Sequence, residues 1–290
     1  MQLKCIVAAC IVGVILLVAG AAFCDEKVSM SEWNQIVEQI GTKGNINWSE
    51  GYVEAVGIGA PPEQYIGKPN ARPMALRAAT VDAYRNLLEI VNGVRIDATT
   101  VVKDFVTQSD VINAQVQGLV KGAKEMKKEY LSDGTVEVTL RMSLSGDFAK
   151  VIVPKILEKT QTPPPAPETP RPAAPAGVVY TGLVIDARGL QARPAMSPKI
   201  LDEDGKEIYG SMNVDREYAV QQGMSGYARD LTAAQSNSRV TNNPVTVKGL
   251  KADGQGRSDI VISNADASAI RGAADNITFL KKCRVMVVLD

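Results

Sequence analysis

The sequence predicts an α+β protein in two domains: a helix-covered, mainly antiparallel sheet first, and a smaller α+β domain second. Three observations point there. Thr160 to Ala176 reads TQTPPPAPETPRPAAPA, a run that fits neither helix interior nor central strand and so forms an extended, semi-rigid tether. Before it, Ala71 to Asp97 reads as one amphipathic helix feeding through Asn92-Gly93 into a strand. Thr135 to Leu144 then alternates strictly, with Val136, Val138, Leu140, Met142 and Leu144 on one face and Thr135, Glu137, Thr139, Arg141 and Ser143 on the other. A chain of 290 residues is long enough for each domain to bury its own core.

Taken in order, residues 1–22 form a secretory signal peptide: Lys4, an apolar run from Cys5 through Val18, then Ala19, Gly20, Ala21 and Ala22. Cleavage after Ala22 or Ala21 leaves Phe23 or Ala22 as the mature N-terminus. An uncleaved anchor over residues 5–23 is the alternative, since the run is near membrane-spanning length. A lipid anchor on Cys24 has Phe23 against it, where a lipobox takes Gly, Ala or Ser. Each reading places the rest of the chain outside the cytoplasm. Cys24 and Cys283 then remain, as a disulfide or as a terminal thiol and a buried apolar cysteine.

Residues 23–50 read as a lead-in helix and loop, with Ser31 as cap, Trp33, Ile36, Val37 and Ile40 on one stripe, and Gly41 as stop. The first domain, 51–159, opens with a strand over Tyr52 to Ile58, closed by Pro61-Pro62. Asn70 caps the long helix, whose Leu76, Ala79, Ala83, Leu87 and Ile90 or Val91 face inward, with Pro73 tolerated in the first turn. Val94 to Ile96 and Thr99 to Val106 are rich in β-branched residues and predict one strand or two. A short helix from Ser109 or Asp110 ends near Gly118. Leu119 to Leu131, Ser132-Asp133-Gly134 and Thr135 to Leu144 follow as strand, turn and strand. A helix from about Gly146 to Glu158 completes the domain.

After the linker, 160–177, the second domain, 178–290, predicts strands at Val178 to Ile185, Thr246 to Leu250, Asp259 to Ser263 and Arg284 to Leu289. A hairpin over Lys199 to Tyr209 turns at Asp204-Gly205, and helix-like material surrounds Tyr218 to Ala234. Ser263 or Asn264 caps a helix with Ala265, Ala269, Ile270 and Ala273 on its stripe, giving a β-α-β ending.

Composition excludes more than it assigns. Lys plus Arg and Asp plus Glu both number 32, so no global field gathers nucleic acid or an anionic membrane. The absence of histidine removes Ser-His and Cys-His nucleophile pairs, imidazole general bases and the commonest metal ligand. Asp202-Glu203-Asp204-Gly205 lacks the remaining spacing of a calcium loop and reads as a hairpin turn. Gly223-Met224-Ser225-Gly226 lacks the second glycine of a nucleophile elbow, because Tyr227 stands there. Gly57-Ile58-Gly59 follows a strand, but Pro61-Pro62 and a long spacer break the entry into a helix that a dinucleotide turn needs, leaving a loop.

The most interesting cluster is Asp186, Arg188 and Arg193: two guanidinium groups on a turn can grip a phosphate or carboxylate, while Arg188 paired with Asp186 as structural glue is the plainer reading. On the long helix, Arg77, Asp82 and Arg85 read as fold or interface residues, with Arg85 and Glu89 spaced to pair along the exposed face. The Lys-rich segment Lys121 to Tyr130 reads as a solvated sheet face. No catalytic residue, cofactor or metal site is expected.

Gly51, Ala75-Leu76-Arg77-Ala78-Ala79, Asp82-Ala83-Tyr84-Arg85-Asn86-Leu87, Gly93-Val94 and the closing Gly134-Thr135-Val136 hairpin resemble the LPP-type lipoprotein domain, related to the N-terminal domain of flagellar assembly protein T. The resemblance covers about residues 51–144. It implies a non-catalytic α/β module of the Gram-negative envelope, lipid-anchored in some members and part of a flagellar basal ring in others, and it brings no catalytic residues. With the leader, the expectation is a periplasmic or outer-membrane-associated scaffolding or binding protein. Its partners are envelope or flagellar proteins, self-association included, with no nucleic acid and with membrane attachment only through an uncleaved signal or a lipid anchor. The alternatives are a His-free, carboxylate-dependent periplasmic enzyme, and a sensor of a small anionic ligand with Arg188 and Arg193 as clamps.

Overall fold

Alanines recur at every fourth position along Ala71, Ala75, Ala79 and Ala83 and are followed by Leu87, Ile90 and Val91, giving helix α1 (Ala71–Asn92) a narrow buried stripe. The computed structural model, which describes residues 34–160, 179–272 and 274–290, shows what that stripe is for. It lies across a five-stranded antiparallel sheet of β1 (Val37–Ile40), β2 (Gly44–Asn47), β3 (Tyr52–Gly59), β4 (Lys124–Tyr130) and β5 (Val136–Ser143), ordered β1-β2-β3-β5-β4. Small residues bring two backbones together. A Cβ on Gly57 would lie 2.1 Å from the Ala83 nitrogen, and one on Gly59 would lie 2.2 Å from the Ala75 oxygen. Gly57 and Gly59 are therefore strand residues that seat a helix, not loop residues. A polar clip locks the contact: Asn86 Nδ2 donates to the Val56 oxygen at 2.8 Å, and Asp82 Oδ2 accepts from the Ile58 nitrogen at 3.1 Å.

Several local expectations are corrected. The described part of 23–50 is the β1–β2 hairpin rather than a helix. The i, i+3, i+4 apolar spacing is real, but Ile36, Val37 and Ile40 are β-branched, and Gly41 has φ +54. At Gly44 a Cβ would meet the Glu54 oxygen at 2.0 Å, so only glycine lets β2 pair with β3 here. Val102–Gln108 is helix α2, not a strand: Val102 and Phe105 are buried at i, i+3, and Asp104 Oδ2 accepts from the Val101 nitrogen at the helix start. Helix α3 (Asp110–Lys121) runs past Gly118 and buries Ile112, Val116 and Val120, so the following strand begins only at Lys124. Asn70 precedes α1, but its side chain does not cap it. Glu89 pairs with Lys43 at 2.6 Å, and Arg85 leans toward Asp82 at 3.8 Å instead of toward Glu89.

The second sheet has seven strands: β6 (Gly182–Asp186), β7 (Ile200–Leu201), β8 (Glu207–Tyr209), β9 (Gly226–Ala228), β10 (Pro244–Asp253), β11 (Asp259–Ile262) and β12 (Val285–Val288), in the order β8-β7-β11-β10-β6-β12-β9. The neighbours β10, β6, β12 and β9 are mutually parallel, and β11 runs antiparallel to β10. Every residue of β12 and the first four of β6 are buried, as strands covered on both faces require. Helices α6 (Leu231–Gln235) and α8 (Ala274–Lys281) lie on these strands, while α4 (Asp147–Thr160) packs on α5 (Arg216–Gln222) and α7 (Asn264–Arg271) packs on α8. The β-α-β ending is really β11-α7-α8-β12, with β10 and β6 intervening in the sheet. The strand β9 interrupts the helical stretch expected around Tyr218 to Ala234.

The protein is thus mixed α+β with two sheets, and the second sheet is the larger. The two do not stand apart. One hydrophobic cluster runs from Val53 and Leu140 in the first sheet and Leu87 on α1 to Leu183, Tyr209 and Tyr227 in the second sheet. A smaller one packs Ala149 and Val153 of α4 against Ala219, Val220, Met224 and Cys283. No described helix is long and apolar enough to cross a membrane. The leader, Cys24, Ser31, Trp33 and the linker beyond Thr160 lie outside the described residues.

Candidate functional site

The densest polar chemistry in the protein sits at the junction of the two sheets. Glu38 stands on β1 with its side chain largely withdrawn from water. Its Oε2 accepts from Arg95 Nη2 at 2.5 Å and from Trp48 Nε1 at 3.1 Å, while its Oε1 accepts from Arg95 Nη1 at 3.0 Å and from Arg193 Nη2 at 3.2 Å. Arg95 also donates from Nε to the Pro194 oxygen at 2.8 Å and lies 5.5 Å from the Trp48 ring centre. A single guanidinium therefore joins a carboxylate, an indole face and the backbone of the loop between β6 and β7. Burial penalises the charge on Glu38, yet the Arg95 hydrogen bonds and charge outweigh it and hold the carboxyl below the ordinary range.

Backbone contacts reinforce this node. Met196 and Ser197 donate to the Arg95 and Ile96 oxygens at 3.0 and 2.7 Å, and Gly256 donates to the Ala98 oxygen at 2.5 Å. Gly256 is needed there, because a Cβ would lie 2.8 Å from that same oxygen. The Asp97 side chain shapes the receiving loop by accepting from the Thr99 and Thr100 nitrogens, both at 2.8 Å. A second seam runs along β9. Ser49 Oγ accepts from the Ile36 nitrogen and donates to the Tyr227 oxygen, and the Trp48 and Tyr227 rings meet edge-on at 6.1 Å. The Tyr227 hydroxyl accepts from the Ala195 nitrogen and donates to the Ala195 oxygen. Arg229 closes the seam through its backbone and Nε, which donate to the Asn34 and Gln35 oxygens.

A groove of about 250 Å³ opens along this seam, lined by Trp48, Met196, Met224, Tyr227 and Arg239 among others. Behind it, burial raises the hydroxyls of Tyr209 and Tyr227 above their ordinary pKa and pushes the Cys283 thiol up to about 11. Among the described residues Cys283 is a free, buried thiol packed with Ala149, Val153, Ala219, Val220 and Met224. A second groove, about 620 Å³, lies where α2, α3 and α4 meet, lined by Asp104, Phe105, Ile112 and Lys155 among others.

The six residues singled out from sequence fall in three places. Arg77 and Arg85 are on the exposed side of α1, and Asp82 is half-buried in the clip to β3. Asp186 takes Arg188 side-on, with Nε and Nη2 both at 2.7 Å, and this pairing holds the Asp186 carboxyl below its ordinary value. Arg193 belongs instead to the Glu38 node, so Arg188 and Arg193 do not converge on one anion. Asp202 shapes its turn: Oδ1 accepts from the Asp204 and Lys206 nitrogens, and Oδ2 accepts from Arg271. Glu38, Trp48, Arg95, Tyr227 and Arg239 were not legible as a set, since their contacts join segments far apart in the chain.

Residues 182–290 match the family model described as Treponema pallidum Tp0624, second domain. No curated protein matches the chain. The match begins at the first residue of β6 and runs to Asp290, so it encloses the seven-stranded sheet as one unit.

Proposed function

We propose that this is a non-catalytic, exported cell-envelope protein that acts as a scaffolding or binding module associated with the outer membrane or a flagellar basal body. The observation that carries the reading is the use made of charge at the junction. Glu38, Arg95 and Arg193 are spent on one another and on fixing one sheet against the other, which suits a rigid platform for partners. Three further points support it: the leader at residues 1–22, the absence of histidine, and the resemblance of residues 51–144 to an envelope lipoprotein domain.

The test is crosslinking in the protein's own cells, followed by mass spectrometry of the mature N-terminus and of the crosslinked partners. The reading expects a chain beginning at Phe23 or Ala22 and crosslinks to envelope or flagellar proteins. An intact Met1 with cytoplasmic partners would contradict it.

A further inference from the structure

Several guanidinium groups of this protein have a carboxylate: Arg95 has Glu38, Arg141 has Glu54, Arg188 has Asp186 and Arg271 has Asp202. Arg239 has none among the described residues. Its side chain crosses β9 at Gly226, where a Cβ would lie 3.0 Å from its Nε and 2.4 Å from Met286 Sδ, so glycine is what makes room for it. Nη1 donates to the Gly223 and Cys283 oxygens at 3.1 and 2.9 Å, and Nη2 donates to the Gln222 oxygen. A guanidinium has five N–H donors. Three are used, and all three go to carbonyls at the ends of α5 and α8, whose dipoles offset part of the charge. Nε–H and one Nη2–H remain without an acceptor among the described residues.

These are the donors that grip carboxylates side-on elsewhere in this chain. Arg188 uses Nε and Nη2 on the two oxygens of Asp186, and Arg141 brings the same two nitrogens to Oε1 of Glu54. Beside Arg239 is a groove of about 310 Å³ lined by Ser49, Gln222, Asn237, Ser238 and Met286, with no acidic residue in its wall. We propose that this groove binds an oxyanion group, a carboxylate or a phosphate, on the unfilled Nε/Nη2 fork of Arg239. The groove exceeds what one such group fills, so the anion is the terminus or substituent of a larger ligand. This goes beyond the scaffold reading and stands without it.

The experiment follows the Arg239 Nε–H signal by NMR in the full mature chain, titrated at constant ionic strength with sodium acetate and, separately, with inorganic phosphate. A saturable shift with either probe is expected. It should be lost in Ser238→Glu, which sets a competing carboxylate on the exposed groove wall. Response to acetate alone marks a carboxylate-bearing ligand, response to phosphate alone a phosphorylated one, and each supports the proposal. No saturable shift with either probe overturns it, as does a shift that persists in Ser238→Glu with an unchanged melting temperature.

Discussion

Glu38 and Arg95 carry the junction because both are largely withdrawn from water, with side chains 24% and 12% exposed. Removing the carboxylate in Glu38→Ala leaves Arg95 without its counter-charge and is expected to cost about 3 kcal/mol in urea unfolding at neutral pH. The pH dependence follows from the sign of the shift. The folded carboxyl sits below its ordinary value, so its contribution is complete above the unfolded pKa of about 4.3 and is lost as pH falls through the lowered folded value. That acid-side loss should be absent in Glu38→Ala.

Asp259 has the opposite sign. Burial raises its carboxyl, with Asp97 and Asp253 adding to the rise and Lys199 opposing it. The folded state therefore holds the proton more tightly, and stability falls as pH climbs from the unfolded Asp value of about 3.9 through the raised one. Asp259→Asn can keep the Oδ1 acceptor used by the Lys199 nitrogen at 3.0 Å. It is expected to raise the melting temperature at neutral pH and to leave no such gain in acid. Neither residue was legible as a site, because Glu38 meets Arg95 57 positions away and Arg193 155 positions away. Asp186 with Arg188, two positions apart, could be paired by reading along the chain.

At the scale of elements, what could be read was what local pattern suffices to determine. β5 alternates over its full length, and Asp133-Gly134 closes its hairpin: Asp133 Oδ1 accepts from the Thr135 nitrogen, and Gly134 takes φ +88. β1 and α2 could not be read this way. β1 is a strand because β2 pairs with it, and α2 is a helix because its i, i+3 contacts outweigh the strand preference of Val101, Val102 and Val106. The long helix was plain, but the reason for its alanines lay in the glycines of β3. Gly57→Ala is expected to cost about 3 kcal/mol or more, since the new methyl meets backbone atoms that have no rotamer to escape into. Ala83→Asp should unfold the first sheet, while Arg77→Ala on the exposed side should stay within about 0.5 kcal/mol of wild type. Thermal melts of the three variants check this ordering.

For the whole molecule, a Pro-rich tether predicts two bodies moving separately. The described residues instead share a hydrophobic cluster, a charged node and a β9 seam. Nothing along the chain announces this docking, because it depends on the fit of surfaces that exist only after both sheets have formed. The family match over 182–290 marks the second sheet as a unit, so the junction joins two units into one platform. Rigid docking of that kind makes unfolding cooperative, which calorimetry of the chain measures directly. A single transition is predicted for the wild type, splitting into two in Arg95→Ala as the sheets uncouple. Two separate transitions in the wild type, unmoved by Arg95→Ala, would contradict the docked platform.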